Sequence, residues 1–244
     1  MILLLDIGNT NLKWAWLDGA TLQPGGHAAL NDISVEVIAT SQWAALPKPE
    51  RIVAASVAAE DALEQLARWA DSHWGVHIER LHAERQAFGV TNGYTTPQQL
   101  GVDRWLALIA ARRLTAAAVC VVDCGTAVTI DLLDADGRHR GGLITPGYEL
   151  ARKALLAGTR IPCDDPGTAR EDGPLGTDTA GAVRNGWGYG LAALIARVTG
   201  GETPIILTGS GAKRLLPLLH QPVNYQPDLV FQGLAMVAGA GNRP

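Results

Sequence analysis

The sequence is short of several features that mark common classes of protein. Its three cysteines, Cys120, Cys124 and Cys163, lack CxxC spacing, so we expect neither a disulfide framework nor a zinc site. No apolar run approaches the roughly 20 residues that cross a bilayer, and the apolar start at 1–5 is too short for a signal-peptide core. We therefore expect a cytoplasmic protein without a membrane partner, in which Cys120 and Cys124 are reduced and fill the core.

An excess of basic charge is also missing. Twenty Lys and Arg stand against 24 Asp and Glu, for a formal net charge of -4, and the basic residues are scattered. Nucleic acid is therefore not expected as a partner. The 47% hydrophobic and 18% charged fractions indicate a folded globular protein, long enough for one large domain or two ordinary ones.

The two common nucleotide-binding loops are absent as well. There is no GxxxxGK[ST] loop and no GxGxxG after a strand, so a nucleotide would need another device. The segment LLLDIGNTNLKWAW at 3–16 has an apolar strand that stops at Asp6, followed by a Gly8-Asn9-Thr10 turn. A buried acid is costly unless it is paired, hydrated or metal-bound. The segment is therefore either a plain hairpin or a phosphate and metal site.

A second segment repeats this pattern. Asp123 ends an apolar strand at 118–123 and is followed by Gly125. Both segments continue as alternating strands and then meet an Asp-Gly hairpin turn, at 18–19 and at 136–137. Asp-x-Gly alone is common, but the match on both sides favours a duplicated unit over coincidence.

Two such hairpins suit a nucleotide's phosphates. Glycines let backbone N–H groups approach phosphate oxygens, and hydroxyls add donors. The carboxylates of Asp6 and Asp123 would repel phosphate unless hard cations such as Mg²⁺ lay between them. Lys13, on the strand that leaves the first turn, can add positive charge.

The remaining chain shows mainly helical spacing with short strands. The predicted helices are 62–73, 101–114, 148–156, 179–199 and 232–240, further strands are expected at 51–57, 141–147 and 204–208, and 157–178 is expected to be an exposed connection.

An acid and a base stand side by side in NGYTTPQQLGVDRW, at 92–105. Asp103 follows Gly101 at a predicted helix start, where an aspartate is most often an N-cap. The functional alternative makes Asp103 a general base for a substrate hydroxyl, with Arg104 binding an anionic part of the substrate.

Four segments together resemble type III pantothenate kinases, in order and across essentially the whole chain. They are DIGNTNLKW at 6–14, NGYTTPQQLGVDRW at 92–105, VVDCGTAVTID at 121–131 and GGLITPGYEL at 141–150. The resemblance implies an α/β fold, the duplicated ribonuclease H-like two-domain fold of actin-like ATPases (ASKHA), which agrees with the duplication. The corresponding halves are 1–115 and 116–244.

The resemblance also implies an activity. It is the ATP-dependent phosphorylation of pantothenate to 4'-phosphopantothenate, the first step of coenzyme A biosynthesis, with Mg²⁺ and a monovalent cation, K⁺ or NH₄⁺, by a homodimer. Two alternatives stay open: an ASKHA kinase for another small alcohol or sugar, and a non-catalytic accessory regulator. The charge arrangement of Asp6, Lys13, Asp103 and Asp123 favours an enzyme.

Residue roles follow from the same resemblance. Asp103 matches the proton acceptor, Asp123 the ligand of the monovalent cation, and Thr126 an ATP contact. The segment that matches the first phosphate loop, with Asp6 near the metal, consists of Asp6, Ile7, Gly8, Asn9, Thr10, Asn11, Leu12 and Lys13. The residues that match pantothenate contacts are Tyr94, Gly101, Val102, Asp103, Arg104 and Thr179.

Two points are left open. Thr179 opens a predicted helix, so it can also be an N-cap. Family members often have Thr-Gly-Gly near the adenosine, whereas this chain has Thr208-Gly209-Ser210, so the nucleotide-base contact there is undecided.

Overall fold

The computed structural model describes residues 1–30, 34–57, 60–162 and 174–240. The chain forms two compact units: unit 1 is Met1–Leu114 with Asp228–Pro244, and unit 2 is Thr115–Pro227. Cys163 and much of the predicted connection at 157–178 lie outside the described residues.

Unit 1 is built on a five-stranded mixed sheet. Its strands are β1 (Ile2–Ile7), β2 (Asn11–Asp18), β3 (Thr21–Ala29), β4 (Arg51–Ser56) and β5 (Ile78–Arg80). Their order is β3-β2-β1-β4-β5, in which β1, β2 and β3 pair antiparallel while β1, β4 and β5 run parallel. A separate small hairpin consists of β6 (Gln86–Ala87) and β7 (Val90–Thr91).

Helices cover both faces of this sheet. Helices α1 (Val35–Trp43) and α2 (Glu60–Trp74) pack with Leu3 and Leu5 on one face, and α3 (Val102–Leu114) packs with Leu4 on the other. Successive side chains of a strand point to opposite faces. Asp6 therefore follows Leu4 onto the face that α3 covers.

Unit 2 repeats this arrangement. Its strands are β8 (Val119–Cys124), β9 (Ala127–Leu133), β10 (His139–Pro146), β11 (Ile205–Thr208) and β12 (Val223–Tyr225), in the order β10-β9-β8-β11-β12. Its helices are α4 (Tyr148–Gly158), α5 (Thr179–Thr199) and α6 (Ala212–Leu215). The strand order and pairing directions equal those of unit 1, which confirms the predicted duplication.

The last helix, α7 (Leu229–Ala240), belongs to unit 1. Its Leu234 packs with Leu106 of α3, and a Cβ added at Gly233 would lie 2.1 Å from the Leu106 carbonyl oxygen. This differs from the predicted half 116–244. The apolar pattern of 232–240 predicts a packed helix but does not say which sheet the helix covers.

The core contains the two described cysteines. Cys120 and Cys124 are buried among apolar side chains of β8, α5 and β11, which confirms their predicted role. Burial raises the pKa of both thiols to about 12, so neither is a reactive thiolate. Across the described part of the chain, every helix is too short or too polar to cross a bilayer.

Candidate active site

Backbone hydrogen bonds fix the turn between β1 and β2, both within the turn and to the end of β3. The Gly8 N–H donates to the Asn11 carbonyl at 2.9 Å, and the Leu30 N–H donates to the Thr10 carbonyl at 2.8 Å. The side chains of Ile7 and Leu12 are fully buried. These two predicted phosphate-loop residues can therefore offer a ligand only their backbone.

Asp6 and Lys13 lie opposite each other where β1 and β2 meet this turn. They are register partners, and the Lys13 Nζ lies 3.7 Å from the Asp6 Oδ2. Desolvation raises the pKa of Asp6 from 3.8 to about 6, Lys13 lowers it in part, and the charge of Asp103 raises it further. A desolvated carboxylate whose charge Lys13 offsets only in part is suited to bind a cation.

Asp103 is the second residue of α3, so the structure contradicts the N-cap alternative. Its Oδ1 accepts a hydrogen bond from the Arg104 N–H at 2.7 Å. A Cβ added at Gly101 would lie 2.6 Å from the same oxygen, so glycine is needed there for this carboxylate position. Asp6 lies on the sheet face that α3 covers and Asp103 lies in the first turn of α3, so the charge of Asp103 raises the pKa of Asp6 and the two acids form one electrostatic site in unit 1.

Tyr94 and Arg104 form a pair beside Asp103. The buried Arg104 guanidinium donates from Nη1 to the Tyr94 hydroxyl at 2.9 Å, and its Cζ lies 5.6 Å from the Tyr94 ring centroid. The Val102 side chain packs into the core instead. Asp103, Arg104 and Tyr94 thus present an acid, a cation and a phenol together.

Asp123 occupies in unit 2 the strand position that Asp6 occupies in unit 1. Each is the residue before the last of its strand, β8 or β1. A Cβ added at Gly209 would lie 2.4 Å from the Asp123 Oδ1, and Gly209 has a φ of +90°. The glycine turn after β11 therefore packs directly on the Asp123 carboxylate.

Thr126 lies in the turn after β8, against the start of α4. The Gly147 N–H donates to the Thr126 carbonyl at 2.9 Å. A Cβ added at Gly147 would lie 2.4 Å from the Gly125 carbonyl oxygen and 2.7 Å from that of Thr126. The Trp187 Nε1 donates to the Pro146 carbonyl at 3.1 Å, which fixes the residue before Gly147.

Thr179 is the first residue of α5 and is exposed. The N-cap is Asp178, whose side chain accepts a hydrogen bond from the Gly181 N–H at 2.6 Å. The N-cap alternative for Thr179 was therefore wrong, and its hydroxyl is not committed to capping.

A cavity of about 750 Å³ in unit 1 lies elsewhere. It is lined by the β2–β3 turn, by Ala110, Arg113 and Leu114 of α3, and by α7. None of the predicted site residues lines it, so the cavity is not the predicted site.

Comparison with known proteins identifies the family. The sequence profile of type III pantothenate kinase matches residues 2–200. A type III pantothenate kinase of Nitrosococcus oceani is 39% identical over 98% of this chain and 94% of its own length. One of Halorhodospira halophila is 40% identical over 96% of each chain. The chain belongs to the type III pantothenate kinase family.

Solved structures show the same fold. A protein described as a Baf family transcriptional activator, from Campylobacter jejuni, has a TM-score of 0.65 and 23% identity over 98% of both chains. A protein described as a 2-dehydro-3-deoxygalactonokinase, from Sinorhizobium meliloti, has a TM-score of 0.62 and 16% identity over 98% of this chain and 96% of its own. Together with the repeated sheet, these likenesses confirm the predicted ASKHA fold.

The residues assigned by resemblance to type III pantothenate kinases divide between the two units. Unit 1 holds the first phosphate loop, Tyr94 and the segment 101–104, and unit 2 holds Asp123, Thr126 and Thr179. The sequence interpretation assigned no role to Arg85, Asn92 or Gly147, and it considered Gly209 only for the nucleotide base; these residues hold or contact the assigned ones. A glycine before a predicted helix or after a strand was a usable signal for Gly147 and Gly209, whereas Arg85 had none.

Proposed function

We propose that this chain phosphorylates pantothenate with ATP and yields 4'-phosphopantothenate, the first step of coenzyme A biosynthesis. The observation that carries the proposal is the placement of Asp6 and Asp103 in one electrostatic site, with the Arg104–Tyr94 pair beside it. Membership of the type III pantothenate kinase family supports the choice of substrate.

Each residue has a role suited to phosphoryl transfer, which needs positioning and charge neutralisation more than covalent chemistry. Asp103 accepts the proton of the pantothenate hydroxyl. Arg104 binds the anionic part of pantothenate, Tyr94 orients the Arg104 guanidinium, and Lys13 offsets charge on the transferred phosphoryl group. The backbone N–H groups of Asn9 and Thr10 bind ATP phosphates, and Thr126 keeps the ATP contact that the resemblance assigns to it.

The Asp6 carboxylate would hold the Mg²⁺ of the nucleotide, and its raised pKa fits a desolvated group whose charge Lys13 offsets only in part in the free protein. When bound, Mg²⁺ supplies charge neutralisation to the phosphates. One carboxylate suffices because Mg²⁺ is commonly bound by one or two carboxylates together with phosphate oxygens.

The proposed function is tested by measuring ADP release from MgATP with and without pantothenate, and by determining the molecular mass of the product by mass spectrometry. We expect ADP to appear only with pantothenate, in equal amount to a product one phosphoryl group heavier. ADP release with a sugar or another alcohol but not with pantothenate would replace the substrate. No release with any alcohol would favour a regulator.

We propose that Asp123 ligates a monovalent cation that activates the enzyme. Asp123→Ala is expected to abolish the dependence of turnover on added K⁺, because a hard cation loses its charged oxygen ligand. The measurement is turnover against KCl at constant ionic strength, with 4'-phosphopantothenate quantified directly by chromatography.

The matched control is Asp134→Ala, in the same unit at the exposed β9–β10 turn. It removes the same charge and should keep the K⁺ response. An Asp123→Ala enzyme that responds to K⁺ as the unaltered enzyme does would refute the cation assignment.

We also propose that the protein is a homodimer that uses the outer strand β10. β10 is an edge strand and exposes Leu143 by 40% and Ile144 by 64%, and an apolar edge is a ready pairing surface. Ile144→Glu should give a monomer by size-exclusion chromatography with light scattering. Val37→Glu, at a site 57% exposed on α1, should stay dimeric. A monomeric unaltered protein would refute the proposal.

The cytoplasmic location is likewise a proposal. It is supported by Cys120 and Cys124, which are free thiols, the form that reducing compartments maintain.

A further inference from the structure

The segment 92–97 carries Tyr94 and joins β7 to a short 3₁₀ turn, Pro97–Gln99. Tyr94 meets Arg104 through its hydroxyl. Any movement of the segment therefore moves the phenol that orients Arg104, next to the acid at 103. What holds this backbone decides the geometry of the acceptor site.

Arg85 holds the segment from one side. Its Nη1 donates to the Tyr94 carbonyl at 3.0 Å, and its Nη2 donates to the Thr95 carbonyl at 2.9 Å. A guanidinium presents these donors in a fixed planar fork. Two successive carbonyls bound to one fork set the orientation of the peptide between them, which a single ammonium group cannot do.

The Asn92 side chain forms hydrogen bonds with the backbone of the same segment. It is buried, and its Oδ1 accepts a hydrogen bond from the Tyr94 N–H at 2.9 Å. Its Nδ2 donates to the Glu84 carbonyl at 3.1 Å and to the Pro97 carbonyl at 3.2 Å. Asn92 thus ties both ends of the segment to the residue before Arg85.

Arg85 and Asn92 together hold the two peptide groups that flank Tyr94. The Tyr94 N–H is bound by Asn92 and its carbonyl by Arg85. A tyrosine held in this way keeps its hydroxyl within reach of Arg104 before any substrate arrives, which lowers the cost of ordering the site on binding.

We infer that Arg85 and Asn92 are positioning residues for the acceptor alcohol, acting through Tyr94 and Arg104 on the pantothenate site. This inference rests on the proposed function for the identity of the alcohol. Neither residue needs to touch pantothenate or ATP for it to hold.

The test compares Arg85→Ala and Arg85→Lys with the unaltered enzyme. For Arg85→Ala we expect KM for pantothenate to rise about 10- to 100-fold, since small misplacements of a binding group have effects of that order, while KM for ATP stays unchanged. Arg85→Lys, which keeps the charge but loses the fork, should show an intermediate KM. Arg68→Ala, at an exposed arginine paired with Glu64 on α2, is the control and should leave both KM values unchanged.

A second readout needs no activity. Amide hydrogen exchange should become faster in a peptide that covers 92–99 in Arg85→Ala, and Asn92→Ala should show the same change. Unchanged exchange at 92–99, or a KM for ATP that rises as much as the KM for pantothenate, would overturn the inference. If the unaltered enzyme does not phosphorylate pantothenate, the proposed function fails, and the exchange result alone then decides whether Arg85 fixes the segment.

Discussion

Asp103→Asn is expected to lower kcat by about 10²- to 10⁴-fold, the usual contribution of a positioned general base. The substitution keeps the shape of the side chain and an oxygen that can accept the Arg104 N–H hydrogen bond. It removes the negative charge and with it the ability to accept a proton. Affinity for ATP should survive, because the proposed phosphate contacts lie at 6–13 and at Thr126. The measurements are single-turnover rates and calorimetric binding of a non-hydrolysable ATP analogue.

Gly101→Ala supplies an independent check that the position of this carboxylate matters. The added Cβ would lie 2.6 Å from the Asp103 Oδ1, so the acid must move although its chemistry is intact. We expect kcat to fall here too, whereas Gly190→Ala, where nothing lies within 4 Å of the new Cβ, should have little effect. An Asp103→Asn enzyme with kcat within about tenfold of the unaltered value would exclude Asp103 as the base.

The sequence predicted those parts of the fold that depend on local chemistry. The hairpins at 3–16 and after Asp123 carry strong turn residues and apolar strands, and both formed where expected. Strand β3 was missed because it contains Pro24, Gly25 and Gly26 and is mostly exposed, so it lacks the apolar alternation of a half-buried strand. Its formation depends on pairing with β2.

Candidate site residues could be named from the sequence where an acid precedes a recognisable turn or stands at a helix start. Asp6, Asp103 and Asp123 were proposed in this way, and their roles stay predictions. Roles for Arg85 and Asn92 were not predicted. Arg85 binds carbonyls 9 and 10 residues away, which no sequence pattern marks, whereas the contact of Asn92 with the Tyr94 N–H is a turn that Asn92-Gly93 could have indicated. The N-cap alternatives for Asp103 and Thr179 were wrong because helix starts cannot be fixed to one residue from sequence.

The duplicated sheet explains why an acid stands at each turn. In β1 and β8 the acid is the residue before the last, with the same burial pattern along the strand. In unit 1 the alternation of side chains directs Asp6 to the α3 face, and Asp103 lies in the first turn of that helix. Strand periodicity and a helix start together therefore bring two acids close enough to interact, although 96 residues separate them in the chain.

Asp6→Asn is expected to stabilise the ligand-free protein at pH 7.5 while it lowers turnover by about 10²-fold or more through loss of the proposed metal ligand. Folding raises the pKa of Asp6 from 3.8 to about 6, so the folded state holds the proton more tightly than the unfolded state. Stability is therefore lost as pH rises from about 4 through 6, and above 6 the ionised carboxylate costs about 3 kcal/mol. Asparagine carries no such cost. Allowing for imperfect replacement, a gain of about 2 kcal/mol corresponds to a Tm rise of about 4–8 °C for a chain of this size.

The dependence of the Tm gain on pH and on bound nucleotide distinguishes the removal of a desolvated carboxylate from a general stabilising effect of the substitution. The gain in Tm should shrink as pH falls from 6 towards 4, because the carboxylate of the unaltered protein is then protonated. Asp71→Asn, a 63% exposed aspartate on α2, removes the same charge and should shift Tm by no more than about 1 °C. Saturating MgATP should make the unaltered protein the more stable of the two. At 100 times Kd it stabilises the unaltered protein by about 2.7 kcal/mol, and it should stabilise the Asp6→Asn protein much less. Two results together would refute both roles of Asp6: an equal rise in Tm on adding MgATP to either protein, and equal Tm values of the two ligand-free proteins at pH 7.5. They would show that the ionised Asp6 carboxylate does not destabilise the fold and does not bind the metal.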